Sequence, residues 1–306
     1  MDLSIVTTLY YSAPYIEEFY NRIIAEVERI TSNYEIIFVI DGSPDNSLDI
    51  AVSLYEKDNR VKVIDFSRNF GHHKAMMTGL AHAKGELVFL IDIDLEEEPE
   101  LLGKFYDEFK SSDIDVLYGV QQRRKGGFIE KIFGEIFYRV FNSLSSYPIP
   151  SNIITARLMS QRYVKNLVEH KDREIFMAGL WAITGFKQMP VSVNKLSKGS
   201  STYNFSKKIS LFANSITSFS NKPLIFIFYI GFIITFLSGI GVLTLVIRRL
   251  FFGVYLEGWS SMIVSLWLLG GLIIFFLGVI GIYLSKIFME AKQRPYTVIR
   301  HIYEHA

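Results

Sequence analysis

Apolar and β-branched residues recur in short runs along the N-terminal part of the chain: Ser4 to Thr8, Glu35 to Ile40, Val61 to Phe66, Leu87 to Ile91 and Asp115 to Tyr118. Each run ends in a polar turn, the pattern of a buried strand. Segments of helical length separate them, at Pro14 to Ile30, Asn46 to Glu56, His73 to Ala83 and Pro99 to Lys110. Alternating strands and helices predict an α/β domain on a mostly parallel sheet, which binds ligands beyond the carboxyl ends of its strands. Met1 to Tyr11 has no basic start and no long apolar stretch, so it reads as the first strand and not as a signal peptide.

The pattern changes towards the C-terminus, where two uncharged runs extend from Leu224 to Ile247 and from Trp259 to Ser285. About 20 apolar residues cross a bilayer core, so both runs predict transmembrane helices joined as a hairpin. Burial in a soluble core would need a larger soluble region around them than the short segment that follows. Lys207, Lys208, Lys222, Lys286, Lys292, Arg294 and Arg300 flank the hairpin, and only Arg248 and Arg249 lie in the linker Arg248 to Gly258. That bias puts both ends of the chain in the cytoplasm of a multi-pass inner-membrane protein. Gly231, Gly239, Gly241, Gly270, Gly271, Gly278 and Gly281 permit close helix approach, within the hairpin or between copies in a homo-oligomer. Before the hairpin, Ile209, Phe212, Ile216 and Phe219 recur at helical spacing beside Lys207 and Lys208. They suit an amphipathic helix on an anionic lipid surface, or a helix that faces the core. The expected organisation is a soluble domain over 1–205, an amphipathic juxtamembrane segment over 206–222, a transmembrane hairpin over 223–290 and a cytoplasmic tail over 291–306.

Composition narrows the function. The 306 residues are 50% hydrophobic and 21% charged, too apolar for a disordered chain and too charged for membrane helices alone. With no cysteine, a disulfide scaffold, a zinc ribbon and a cysteine nucleophile are excluded. A net charge of +1 excludes the broad positive field of a nucleic-acid binder, so charge must act locally.

Local charge gathers at strand ends. Asp41-Gly42-Ser43, with Asp45 close behind, follows the second strand; an Asp there can accept hydrogen bonds from a base or ribose, although Asp-Gly is also a common turn. Asp92-Ile93-Asp94-Leu95-Glu96-Glu97-Glu98-Pro99-Glu100 follows the fourth strand. Its last residues suit a helix N-terminus. Asp92 and Asp94 precede that helix, and their crowded carboxylates suit Mg²⁺ or Mn²⁺ bridging a diphosphate. Arg123, Arg124 and Lys125 follow the fifth strand, either as a phosphate clamp or as a solvated loop. The apolar face of Phe128 to Leu144 suits core packing, or contact with lipid.

Taken in order, these pieces resemble the family 2 glycosyltransferases of the polyprenyl-phosphate type, the bactoprenol glucosyltransferases and dolichol-phosphate mannose synthases. The resemblance covers nearly the whole chain. It rests on Ser4-Ile5-Val6, Asp41-Gly42-Ser43 with Asp45, Ser67-Arg68-Asn69-Phe70-Gly71 with Lys74, Asp92-Ile93-Asp94-Leu95 with Pro99-Glu100-Leu101, Tyr118-Gly119, Arg157-Leu158-Met159, Phe176, Gly179, Gly185-Phe186, and Ser201 with Tyr203. It implies a GT-A nucleotide-sugar fold at the cytoplasmic membrane face. The implied reaction moves a sugar, with inversion, from a nucleotide diphosphate donor, preferably a UDP-sugar, to polyprenyl (undecaprenyl) phosphate, for cell-envelope glycan or lipopolysaccharide modification. On that reading Asp41, Ser43, Arg68 and Lys74 belong to the nucleotide-sugar site, and Asp92 and Asp94 hold the metal and diphosphate. Arg123, Arg124 and Lys125 meet phosphate, and Arg157 stands at the motif arginine near the acceptor. Asp94, Glu96 and Arg157 are the implied catalytic set.

The chain departs from the family pattern at several positions. Thr155 stands where many members carry a candidate base, Ile40 replaces the first of two Asp, Glu96 replaces a Gln after the metal motif, Thr8 and Tyr11 replace a Pro and an Asn, and Thr202 replaces a Lys. Removing a hydroxyl proton calls for a positioned base worth about 10²- to 10⁴-fold. A phosphate monoester, with a second pKa of about 6, is already anionic. Thr155 therefore favours a phosphate acceptor, with Glu96 left as either a substitute base or a metal ligand. A glycolipid or glycan hydroxyl acceptor, and a non-catalytic membrane-bound subunit that binds a nucleotide sugar, are the alternatives.

Overall fold

The computed structural model describes residues 1–121, 139, 142–143, 149–150, 152–194, 220, 222–252 and 258–305. The expectations for Arg123, Arg124 and Lys125, for most of Phe128 to Leu144, and for the amphipathic segment apart from Ser220 and Lys222 lie outside those residues. The chain divides into two compact units, one made of Met1–Val140, Tyr147–Asn204 and Arg294–Ala306, the other of Phe141–Ser146 and Phe205–Gln293.

The first unit is built on one eight-stranded sheet. Its strands are β1 (Leu3–Leu9), β2 (Tyr34–Ile40), β3 (Val61–Phe66), β4 (Leu87–Leu90), β5 (Val116–Gln121), β6 (Ile153–Ser160), β7 (Gln188–Val193) and β8 (Ile299–Tyr303). They lie in the order β7-β5-β6-β4-β1-β2-β3-β8. β3, β2, β1 and β4 run parallel, as expected from the alternating pattern. β6 is antiparallel to both β4 and β5, β7 runs parallel to β5, and β8 is antiparallel to β3. Every residue of β1 and β2 is buried, as a strand covered on both faces requires.

Helices supply that cover. α1 (Ile16–Val27), α2 (Ser47–Lys57) and α4 (Leu101–Lys110) bury Phe19, Leu54 and Phe105 in one core cluster with Ile5, Phe38 and Phe89. On the opposite face lie α3 (His72–His82) and α5 (Gln161–Val168), which pack against each other. α3 sits so close to the sheet that a Cβ on its Gly79 would fall 2.5 Å from Val6 Cγ1 and 2.9 Å from Val39 Cγ2. A short helix, α6 (Met177–Ile183), precedes β7.

The terminal segment 291–306, expected as a tail, in fact contributes β8 to the sheet. Strand patterning did not reveal it, because Arg300 and His301 interrupt its apolar residues.

The second unit contains α7 (Lys222–Phe252) and α8 (Trp259–Ala291). Among the described residues one stretch, Ser265–Ala291, is long and apolar enough to cross a membrane, and the apolar part identified in α7, Lys222–Ser238, is shorter. The expected pair of spanning helices is thus met by one on length and composition. A Cβ on Gly231, Gly241, Gly270, Gly271, Gly278 or Gly281 would meet no atom within 4 Å, so these glycines do not bring α7 and α8 together.

Candidate active site

Asp41, Ser43, Arg68, Lys74, Asp92, Asp94 and Glu96 follow the carboxyl ends of the parallel strands β2, β3 and β4. After β1 the chain turns through Tyr11, at φ +54°. The turn is tied to the segment after β2, because Tyr11 N donates to Ser43 Oγ at 2.7 Å and Ser43 Oγ donates to Asp45 Oδ1 at 2.6 Å. Asp45 Oδ2 also accepts from Ala13 N at 3.2 Å, and Ser47 Oγ accepts from Ser12 N at 3.1 Å. Ser43 therefore joins two site loops.

Asp41 directly follows β2 and is 2% exposed. Its two oxygens accept from Phe70 N at 2.7 Å and Gly71 N at 3.0 Å. Burial raises the Asp41 pKa above the ordinary carboxylate range, and these backbone donors offset it only in part. The carboxylate expected to face a nucleotide thus holds the loop after β3. In that loop Arg68 is exposed, with its guanidinium 4.0 Å over the Phe70 ring and donating to Asn69 O at 2.9 Å. Lys74, half-buried in the first turn of α3, adds positive charge close enough to favour ionised Asp41.

After β4 burial alternates: Ile93, Leu95 and Glu97 are buried, whereas Asp92, Asp94 and Glu96 are half-buried in the intervening positions. Leu95 takes φ +61°, a conformation that costs a non-glycine residue about 1–2 kcal/mol. Asp94 Oδ1 accepts from Glu96 N at 2.9 Å, which closes this turn. Glu97 is 1% exposed and accepts from Thr155 N at 3.1 Å and Ala156 N at 2.7 Å, so it fastens β6 beside β4. Glu100 pairs with Arg22, whose Nε and Nη2 donate at 2.8 and 2.6 Å. In the acidic run, Asp92, Asp94 and Glu96 are thus half-buried, whereas Glu97 and Glu100 are committed to holding β6 and α1.

A polar chain crosses the site. Thr8 Oγ1 lies 2.9 Å from His72 Nδ1, His72 Nε2 lies 3.2 Å from Asp92 Oδ1, and Thr155 Oγ1 donates to Asp92 Oδ2 at 2.7 Å. Desolvation pulls the His72 pKa down. The hydrogen bond and charge of Asp92, with the charges of Asp41 and Glu97, outweigh it, so His72 titrates above its ordinary value. Sequence reasoning missed both His72 and the clamp made by Glu97. The available signal for His72 was its position straight after Gly71, at the helix start that follows a parallel strand.

Arg157, expected beside the acceptor, is 1% exposed within β6. Its Nε and Nη2 donate to Thr155 O and Ile154 O, each at 3.2 Å, and its guanidinium carbon lies 2.9 Å from the Trp181 ring centroid. Burial lowers its pKa to about 9. Among the described residues its guanidinium is thus engaged by backbone carbonyls and an aromatic ring.

No group of three or more acidic or histidine side chains among the described residues forms a self-sufficient metal cage. Two half-buried aspartates at a strand end nevertheless fit the way Mg²⁺ is held with a substrate, by one or two carboxylates plus phosphate oxygens.

Known proteins match over the same regions. A family model described as Glycosyl transferase family 2 matches residues 4–168. A Mycobacterium tuberculosis protein described among "Putative glycosyltransferases" is 54% identical over 303 residues, covering 99% of this chain and 89% of its own length. The bactoprenol glucosyl transferase of Shigella phage SfV is 31% identical over 303 residues, covering 98% and 99%. A solved mycobacterial protein shares the fold at a TM-score of 0.50 and 15% identity, covering 71% of this chain and 72% of its own.

Proposed function

Because the chain belongs to glycosyltransferase family 2 and its sheet is GT-A-like, we propose that it moves a sugar, with inversion, from a UDP-sugar to polyprenyl (undecaprenyl) phosphate at the cytoplasmic membrane face, for cell-envelope glycan or lipopolysaccharide modification. The observation that carries the reading is the meeting of Asp92, with His72 and Thr155, at the end of β4, in a chain alike over its full length to bactoprenol glucosyl transferases.

In this mechanism Asp92 and Asp94 would hold Mg²⁺ or Mn²⁺ together with the donor diphosphate, and the bound cation would supply neutralisation of charge on the departing nucleoside diphosphate. Ser43 fixes the loop after β1 and Asp41 fixes the loop bearing Arg68, so the donor meets prearranged walls. Arg68 and Lys74, together with Arg123, Arg124 and Lys125, contribute positive charge towards phosphate. An acceptor phosphate oxygen forms a bond to the anomeric carbon as the carbon–oxygen bond to the diphosphate breaks on the opposite face. No proton has to leave a dianionic phosphate, which suits a site where residue 155 is a hydroxyl donating to Asp92.

The membrane hairpin is part of the same reading. β8 lies after α8 in the chain, yet it pairs with β3 in the sheet that β1 to β7 form. Both flanks of α7 and α8 thus belong on one side of a bilayer, and an even number of crossings separates them. With Ser265–Ala291 as one crossing, this reading takes α7, whose apolar part Lys222–Ser238 is shorter, as the second.

The test is a donor-by-acceptor matrix on purified protein, with labelled UDP- and GDP-sugars, undecaprenyl phosphate and Mg²⁺ or Mn²⁺, read by mass spectrometry of the lipid fraction. The expected product is a lipid-linked monosaccharide, and its absence with every donor overturns the proposal. A product formed only on a hydroxyl acceptor, and lost in Glu96→Gln, would instead identify half-buried Glu96 as a base. Unchanged cellular glycan output in Asp94→Asn would identify a non-catalytic subunit.

A further inference from the structure

The Ser67–Gly71 loop is held from two directions. Asp41 takes the N–H groups of Phe70 and Gly71 at its far end. Its near end is held by residues that follow the apolar helices. Ser67 N donates to Val298 O at 3.0 Å, and Arg300 Nη2 donates to Ser67 O at 2.9 Å. Both backbone groups of Ser67 are therefore satisfied by the C-terminal segment.

The register explains how Arg300 reaches this point. Asp65 faces His301 and Phe66 faces Ile299, which leaves Arg300 as the extra residue of a bulge. A bulge re-aims its side chain and bends the strand. Here it directs the guanidinium to the end of β3, where Nη1 lies 3.3 Å from Asp65 Oδ2 while Nη2 bonds Ser67 O. Asp65 is 3% exposed, and Arg300 is the cation of its ion pair. Next to the bulge, Thr297 Oγ1 lies 3.2 Å from Thr78 Oγ1 of α3, which ties the same segment to the helix that begins at His72. Arg68 and Asn69, between the two anchors, stay exposed.

We propose that Arg300 is a positioning residue for the donor site, setting the Ser67–Gly71 loop so that Arg68 is presented to the donor diphosphate. This rests on the reading of that loop as donor-binding. A loop held at both ends loses less freedom when ligand binds, so removing one anchor weakens affinity without touching the ligand. The effect belongs to the phosphate-bearing part of the ligand. Arg300 is itself 57% exposed, so truncating it opens no apolar cavity, but it removes the cation beside buried Asp65, and a thermal melt is therefore read alongside each titration.

The test is calorimetric titration of full-length protein in detergent with UDP, GDP and uridine in the presence of Mn²⁺. Arg300→Ala is expected to weaken UDP binding about tenfold and uridine binding by less than about twofold, with the KM for undecaprenyl phosphate unchanged. Arg300→Lys keeps a donor and a charge, and it is expected to recover UDP affinity to within about threefold of wild type. In an Arg68→Ala background, Arg300→Ala is expected to add little, because the two act as one unit. Equal UDP affinity in wild type and Arg300→Ala overturns the proposal. So does an equal loss for UDP and uridine accompanied by a fall in thermal midpoint, the signature of a purely structural contact. Wild-type protein that binds neither UDP nor GDP would overturn the donor reading itself, and this inference with it.

Discussion

At Gly42 the backbone lies at φ +59°, and a Cβ there would fall 2.3 Å from Arg68 C and 2.4 Å from Asn69 N. Both contacts are backbone, so the loop bearing Arg68 must move if a side chain is added. Gly42→Ala is therefore expected to raise the UDP dissociation constant at least about tenfold, with a conformational cost of about 1 kcal/mol added to the displacement. Titration with UDP and a thermal melt check this. Thr155→Val removes the 2.7 Å bond to Asp92 and leaves the His72 contact in place. It is expected to lower kcat about tenfold with little change in donor KM, whereas Asp94→Asn is expected to cost about 10²-fold or more in kcat. Single-turnover and steady-state rates on the lipid acceptor measure both. Asp41, Asp92 and Asp94 were legible in the sequence because an acidic residue straight after an apolar run marks a strand end. His72 was not, because its chemistry arises from α3 starting beside β4, a neighbourhood set by crossover topology and not by spacing. The burial of Arg157 against Trp181 was not legible either, because a motif position says nothing of what packs over it.

Among the elements, β8 is fastened by charge at the residue that follows it. Glu304 bridges Lys62 Nζ at 2.9 Å and Lys84 Nζ at 2.6 Å, and Lys62 has a side-chain exposure of only 6%. The hydrogen bonds from Lys84 and Lys62 hold the Glu304 pKa down at about 2, from an ordinary 4.5. A depressed acid pKa stabilises the fold above the unfolded value, and that stability disappears as pH falls from 4.5 towards about 2. Glu304 is 38% exposed, so solvent screening reduces the gain to about 1 kcal/mol. Glu304→Gln is expected to melt below wild type at pH 7 by that margin, and the gap should close progressively below pH 4.5; thermal melts in detergent at a series of pH values check it. β1 to β5 were readable as apolar runs, and β3 matches its expected span of Val61 to Phe66. The later strands were not readable. β6 carries a buried Arg157, β7 carries Pro190, which its place at the sheet edge tolerates, and β8 carries two basic residues. In each case tertiary partners override the local pattern.

For the whole molecule, the decisive constraint is that chain on both sides of the apolar helices closes one sheet. α7 and α8 leave large apolar side chains uncovered, with Phe228 at 67%, Trp267 at 78% and Ile274 at 73% exposure. Water would not support such surfaces, and lipid would. Polar side chains on the two helices find partners in the same unit: Thr244 Oγ1 donates to Ile240 O at 2.9 Å, and Tyr283 Oη donates to Ser220 O at 2.8 Å. A single crossing would leave β8 on the wrong side of the bilayer from β3. On the proposed topology of two crossings, Gly258, between the helices, is expected on the side of the bilayer opposite the sheet domain that carries Lys57. The natural chain has no cysteine, so Lys57→Cys and Gly258→Cys each supply a lone thiol. In sealed inside-out vesicles a membrane-impermeant maleimide is expected to label Lys57→Cys at once and Gly258→Cys only after detergent. In intact spheroplasts the order should reverse. Labelling of both thiols from the same side would mean that the helices lie on the membrane without crossing it.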